Sequence, residues 1–515
     1  MATFSYALAL LLLAAHHALQ KSLSSDSTYR AAVVEMKSVE DIFKPVQVMK
    51  ANEIKILNFI DQAAEKNVDI LVFPELPLTS LAFPSRRYLL PWTTVLPDPS
   101  QYYKPCTNFS IAVIESIRSI SCAAKRKRIY VVINVIEQEV CSTAGCPPDG
   151  YLLYISNVVF DREGRIISRS KLLIFTVKIV RARKNHLIHE NGNINVKTPQ
   201  NETFTTDFGV TFGHIICYDI MFQRPWLDVR RKLNVTDFVF TSGWFTGMPF
   251  KNSLQVQAGF SYAEDVNMLA AGYNAVRGGL TGSGIYLGRQ GIASALMAFD
   301  DHEELVIADV PKKSQNTVAN ASRQSDQGYK IRNGFRRRKE SERLIMKYET
   351  LANATMKMIV ENGYTTQTLH HEGIECEFKV NLTNLNPPTI YRLIAFDGTR
   401  LDGKTVRCGN RNCAIHQCAN ETIESCGAIR NSSGIFTFIE VESTHIDNNN
   451  TTMIPSTVLT DLFPLENWTF DQHTSGRHVH TKISLETPSE NVVTFGVWGR
   501  NFERDERIGA IHVTY

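Results

Sequence analysis

The sequence predicts an α/β domain followed by a smaller, β-rich C-terminal domain, and three features of its patterning carry that expectation. Strand-like apolar runs alternate with helix-spaced segments over the first half, which implies a sheet with helices packed on it. From about residue 310 the composition turns polar and charged. Beyond that boundary come short alternating segments divided by Asn, Gly and Thr turns, a mostly β pattern. The size agrees, because 515 residues with 43% hydrophobic content exceed what one core usually supports.

In chain order, residues 29–36 read as a first strand, 49–66 carry apolar residues at helical spacing, and 69–73 make the next strand. Residues 111–125 are helix-like and 129–136 strand-like. Segments 152–160 and 165–169 form a hairpin around Asp161-Arg162-Glu163-Gly164. Asp237-Phe238-Val239-Phe240-Thr241-Ser242 repeats the strand theme and delivers Gly243-Trp244-Phe245, after which 253–267 look helical and 268–273 and 284–287 look like strands. The glycine-rich run 278–284 lacks the strand-turn-helix spacing of a dinucleotide site and reads as tight turns. In the second half, 391–396, 435–441 and 492–498 are strand-like, and no internal repeat is visible.

The net charge of +3 is small for this length and argues against a nucleic-acid partner. The basic runs 125–128 and 336–339 read as solvated faces. Residues 6–18 include an apolar stretch too short to span a bilayer of roughly 30 Å and placed as a secretory h-region. Residues 1–22 are therefore expected to be a signal peptide. Sequons at Asn108, Asn201, Asn234, Asn320, Asn353, Asn381, Asn420, Asn431, Asn450 and Asn467 fit a secreted, extracellular glycoprotein. Residues 508–515 carry no hydrophobic tail of the ~10 to 20 residues that a glycolipid anchor signal needs. Neither an anchor nor a transmembrane segment is expected.

The 10 cysteines also suit an oxidising compartment. Cys141 and Cys146 are close enough to staple a loop, Cys106 and Cys122 lie in one region, and Cys376, Cys408, Cys413, Cys418 and Cys426 cluster later. Zinc is the alternative for that later cluster, although a secreted chain favours disulfides. Cys217 stands apart, and setting it aside leaves an odd number, so one more thiol is free or pairs between chains. His186 and the pair His370-His371 lack a ligand set. No metal or cofactor is signalled.

Cys217 ends the apolar run Phe212-Gly213-His214-Ile215-Ile216 and meets polar residues, as where a strand hands over to a turn. Alone, such a cysteine reads equally as a small buried hydrophobe. Ile70-Leu71-Val72-Phe73-Pro74-Glu75 sets a carboxylate at another strand end, and Arg183-Lys184-Asn185-His186 sets a lysine in a polar loop. A carboxylate, a lysine and a cysteine that each follow an apolar run suggest one edge of a central sheet. These residues resemble the Glu, Lys, Cys triad of the nitrilase, or carbon-nitrogen hydrolase, superfamily. Cys217-Tyr218-Asp219-Ile220, Cys146-Pro147-Pro148-Asp149-Gly150, Thr281-Gly282-Ser283-Gly284-Ile285-Tyr286 and Thr494-Phe495-Gly496-Val497-Trp498-Gly499-Arg500 resemble its vanin and biotinidase branch.

The resemblance implies an α-β-β-α sandwich over residues 27–312, a linker at 313–345 and a β-rich base domain over 346–515. It further implies a small-molecule amide substrate, pantetheine or alternatively a biotinyl amide. Glu75 would act as proton acceptor, Lys184 as proton donor and transition-state stabiliser, and Cys217 as nucleophile. Trp244 and Phe245 would either line a substrate slot or serve as core. One departure stands out: residues 171–182 intervene where relatives run almost directly into the lysine, which makes Lys171 a rival to Lys184. The same insertion leaves open a catalytically inactive secreted glycoprotein with a binding role.

Overall fold

In the first strand, β1 (Thr28–Glu35), alternate side chains enter different layers. Ala31 and Val33 pack with Val239, Leu269 and Ile285, whereas Ala32 and Val34 pack with Ile56, Ile60, Ile117 and Ile120. A strand buried on both faces therefore has helices on one side and a second sheet on the other. The computed structural model describes residues 21–313 apart from 80–82, 84, 143–145 and 174–202. In the second half it describes 331, 334–336 and 344–507, apart from 350, 360, 386–388, 403–405 and 447–449.

The first sheet is assembled from β1, β2 (Ile70–Val72), β3 (Thr93–Thr94), β4 (Tyr130–Val140), β5 (Tyr151–Phe160) and β6 (Ile166–Leu173). β1, β2 and β4 run parallel, and β4, β5 and β6 form antiparallel hairpins. The second sheet begins with β7 (Thr203–Thr205), β8 (Thr211–Ile216) and β9 (Asp237–Ser242). After the two-residue β10 (Gly247–Met248), it continues through β11 (Asn267–Gly272), β12 (Ser283–Leu287) and β13 (Ile292–Met297). β14 (Glu304–Pro311) returns to the first sheet outside β1, β15 (Gly334–Arg336) edges the second, and β16 (Lys347–Tyr348) pairs with β10.

Helices α1 (Pro45–Glu65) and α2 (Glu115–Lys127) cover the first sheet, and α3 (Trp226–Leu233) and α4 (Ser253–Glu264) cover the second. The four layers are the α-β-β-α order that the resemblance implies. α1 starts at Pro45, four residues before its periodic signal, because a proline at the first helical position has no N–H to lose. α4 ends at Glu264, not at residue 267: Asp265 turns left-handed at φ +49°, and Asn267 already belongs to β11. α3 was not among the expected elements. The predicted hairpin turn is present, with Gly164 at φ +72° donating to the Asp161 carbonyl.

Among the described residues, the C-terminal region contains two six-stranded sheets. Along Ile374–Thr383 every second residue, from Ile374 through Cys376, Phe378, Val380 and Leu382, is buried, the period of a half-buried strand. Its core is continuous with that of the first half: Trp226 meets Phe260 at 5.5 Å between ring centroids, and Phe260 meets Trp498 at 6.4 Å. Burying a side chain such as Phe260 contributes about 2 to 3 kcal/mol. α4 lies so close to the strand Thr451–Leu459 that a Cβ on Gly259 would stand 2.6 Å from the Pro455 carbonyl oxygen. Four disulfides are formed, Cys106–Cys122, Cys141–Cys146, Cys376–Cys413 and Cys418–Cys426. Cys217 and Cys408 are buried thiols.

Candidate active site

The parallel strands β2, β8 and β9 end at one edge, and the candidate site is built from the residues just past those ends. Ligands of open α/β sheets gather at such carboxyl ends. Cys217 follows β8 directly and opens a five-residue 3-10 turn, Cys217–Met221. Its backbone is left-handed at φ +46°. An L-residue in that region costs about 1 to 2 kcal/mol, and strain of this kind concentrates where a side chain must be presented sharply from a strand end. Cys217 is 4% exposed, and its thiol points to the Gly243 carbonyl at 3.9 Å.

Glu75, fully buried, comes from the other sheet. Its N–H donates to Ser242 O at 3.4 Å, and its Oε2 accepts from Gly243 N–H at 3.2 Å. The next residue, Leu76, is left-handed at φ +50° and donates to Asn134 Oδ1 at 3.1 Å. Asn134 in turn donates to Asn157, which also accepts from Thr241 Oγ1, each at 2.8 Å. This buried amide chain ties the Glu75 turn to both sheets. The structure thus brings two of the three sequence-predicted residues to Gly243. Lys184 lies outside the described residues.

The rival lysine has identified partners. Lys171 on β6 pairs with Glu137 at 2.9 Å and Glu139 at 2.8 Å, both on β4, and its ammonium lies 4.7 Å from the Tyr154 ring centroid. Those contacts commit it to its own sheet.

The walls around Cys217 are apolar. Leu76, Phe83, Leu89, Trp92, Ile216 and Leu280 form one buried cluster with it, and Phe245 packs at the margin. In such surroundings a charged group acts more strongly than in water. Tyr273 belongs to the same buried cluster, and burial together with the Glu40 carboxylate, which its hydroxyl contacts at 2.5 Å, holds its phenol well above the ordinary tyrosine range. His214, three residues before Cys217, is pushed down to about 3 by burial and contacts Ser168 Oγ at 2.9 Å, so it stays neutral.

Trp244 turns out to be core: it is 4% exposed, stacks on Tyr218 at 5.6 Å and donates to Lys251 O at 2.9 Å. Phe245 is half-buried beside the cluster, with the Lys347 ammonium 3.4 Å from its ring centroid. The sequence reading missed Gly243, Asn134 and Asn157. Only Gly243 carried a signal, as the residue that β9 delivers to the edge. Among the sequons, Asn108, Asn234, Asn353, Asn420 and Asn431 are exposed, and Asn381, Asn450 and Asn467 are half-buried. Asn201 and Asn320, and residues 1–20 of the expected signal peptide 1–22, lie outside the described residues. Among the described residues, no helix is long and apolar enough to cross a membrane, and no group of three or more His, Cys, Asp or Glu could hold a metal ion.

Residues 30–274 match the family model of the carbon-nitrogen hydrolases, and residues 344–505 match that of the vanin C-terminal domain. Vanin-like proteins 1 and 2 of Drosophila melanogaster are each 30% identical to the chain over 95% of its length, covering 88% and 92% of their own. The pantetheinase of Homo sapiens is 25% identical over 94% of the chain and 90% of its own length. With strand-end residues Glu75 and Cys217 set in an α-β-β-α sandwich, and with similarity running through both domains, the chain belongs to the vanin branch of the carbon-nitrogen hydrolase superfamily.

Proposed function

We propose that this protein is a secreted amidase that hydrolyses a linear carboxamide through a thioester on Cys217, with pantetheine as the substrate, giving pantothenate and cysteamine. The observation that carries the reading is the strained Cys217 backbone at a strand end, with Glu75 and the thiol meeting at Gly243 beside a buried apolar cluster. The choice of pantetheine rests on likeness to human pantetheinase. Secretion is supported by the four disulfides, which persist in oxidising compartments, and the exposed sequons are its glycan acceptors. The amidase domain spans 27–312 and the base domain 346–515, joined by 313–345.

The chemistry needs a thiolate, and an ordinary thiol titrates near ~8.5, so a base must take the proton. Glu75 accepts it as sulfur bonds to the amide carbon. Negative charge then grows on the carbonyl oxygen, where the Lys184 ammonium and the Tyr218 N–H stabilise it. Glu75 returns the proton to the amine as the C–N bond breaks, leaving an acyl-thioester. It next takes a proton from water, the hydroxide displaces sulfur, and the acid leaves as Cys217 is reprotonated.

The test is release of cysteamine from pantetheine by the purified protein beside Cys217→Ala. Activity abolished in the variant supports the reading. Hydrolysis of a biotinyl amide alone would keep the reaction and replace the substrate. A second reading, an inactive binding protein, is favoured by the insertion at 171–182; a Cys217 inert to iodoacetamide in folded protein, with neither amide cleaved, would establish it.

A further inference from the structure

Cys217 presents itself from a turn that is too short to hold itself. A five-residue 3-10 helix closes few internal hydrogen bonds, and its last carbonyls need partners from outside. Trp226 Nε1 supplies one, donating to Ile220 O at 3.0 Å. The partner of the next carbonyl, Met221 O, comes from the other domain: it is Nη1 of Arg500, 279 residues away.

Arg500 lies near the end of the strand Val492–Asn501 and is fully buried. Its Nε donates to Gly409 O at 3.0 Å, and its Nη2 donates to both oxygens of Asp505, at 2.5 and 2.7 Å. Asp505 also accepts from Gly409 N–H at 2.9 Å. The guanidinium is sandwiched by aromatic rings, 5.4 Å from Phe222 and 5.2 Å from Phe502. A buried charge is costly unless its donors are used, and here the fork grips the base domain with one side and the turn of the nucleophile with the other. A cation at the carbonyl end of a helical turn also meets the negative end of its dipole.

The base domain holds the other wall of the site as well. Lys347 N–H donates to Thr246 O at 2.9 Å and Glu349 N–H to Met248 O at 2.8 Å, a few residues past Gly243. The side chain of Glu349 pairs with Lys251 at 2.8 Å, and Lys251 reaches the hydroxyl of Tyr218, the residue after the nucleophile, at 3.3 Å.

We propose that Arg500 is a positioning residue of the thiol site, through which the base domain sets the orientation of the Cys217–Met221 turn and so of the sulfur and the Tyr218 N–H. The inference rests on the amidase reading for its kinetic form, but not for its physical form. Arg500→Lys keeps a buried cation and loses the fork, so the turn relaxes. A misplacement of about an ångström at a reacting group costs roughly 100-fold in rate. The expected result for Arg500→Lys is therefore a kcat lower by about 100-fold with KM changed less than about 3-fold. Alkylation of Cys217 by iodoacetamide in the folded protein should change, and hydrogen exchange across 217–222 should quicken. Arg504→Gln, which removes a neighbouring guanidinium that pairs with Glu372 at 3.0 Å, should keep wild-type kcat.

A lowered melting temperature with unchanged kcat, alkylation and exchange would mean a merely structural arginine and overturn the proposal. If Arg500→Lys does not fold, Asp505→Asn loosens the same fork while leaving the guanidinium. It should lower kcat and quicken exchange to a smaller degree, and wild-type values there overturn the proposal equally. Should the wild-type protein cleave neither pantetheine nor a biotinyl amide, the amidase reading falls alone, because alkylation and exchange still decide the role of Arg500.

Discussion

Glu75 and Cys217 come from different sheets and meet at the backbone of one residue: the Glu75 carboxylate accepts from Gly243 N–H, and the Cys217 thiol faces Gly243 O. Neither side chain needs the other for its place, since each is referred to the end of β9. Glu75→Gln keeps the shape and an acceptor oxygen but removes the carboxylate that we propose as the base. It should lower kcat by about 100- to 10,000-fold, the range of positioned acid–base catalysis, with the melting temperature little changed. A rate within tenfold of wild type would take Glu75 out of the mechanism.

The left-handed backbone of Cys217 makes a stability prediction independent of any substrate. Glycine escapes the steric cost at φ +46° that alanine must bear, less what it loses in unfolded-chain entropy. Cys217→Gly should therefore be more stable than Cys217→Ala by about 1 kcal/mol, measured by urea unfolding. The reverse order would mean that the turn is not left-handed in solution.

Glu35, fully buried at the end of β1, carries a pH dependence. Burial pushes its carboxyl up from 4.5 to about 7, against hydrogen bonds from Ser283, Thr281 and the Gly282 N–H that favour the anion. Between those values the folded chain keeps a proton that the unfolded chain has released. Stability from this group is full below about pH 4.5, falls as pH rises, and is lost above about pH 7, roughly 3 kcal/mol in all at 1.36 kcal/mol per unit. Glu35→Gln should flatten that slope and be the more stable protein at pH 8. Denaturation curves at pH 5 and pH 8 decide it, and an unchanged slope in the variant would exclude Glu35 as the source.

The cysteine count can be read directly. Denatured but unreduced protein should take up two alkyl groups, on Cys217 and Cys408, and reduced protein ten. Peptide mapping should find Cys106 with Cys122, Cys141 with Cys146, Cys376 with Cys413, and Cys418 with Cys426. Zero or four labelled thiols in the unreduced protein would contradict this pairing.

Local periodicity made the layers legible. The apolar runs of β1 and β9, helical spacing in α1 and the change of pattern after Val310 each reflect how a single element buries its own faces, which depends on neighbours in sequence. The strand ends at Glu75 and Cys217 were legible for the same reason, and the flanking motifs identified the superfamily branch. α3 was not, because its eight residues make barely two turns, a shorter window than a helical period needs to stand out, and its place is set by packing Trp226 against Phe238 and Phe260.

By itself, then, the sequence determined the alternation of the main strands and helices, the division into an α/β and a β-rich part, and the residue types offered at each strand end. Only the tertiary structure decided that Glu75 and Cys217 share Gly243, that Lys171 is held by Glu137 and Glu139, which cysteines pair, and that Arg500 reaches the Cys217–Met221 turn. The physical reason is range. Glu75 and Gly243 lie 168 residues apart and Arg500 and Met221 279, and contacts at such separations follow from strand register and from how layers stack, which no local period specifies.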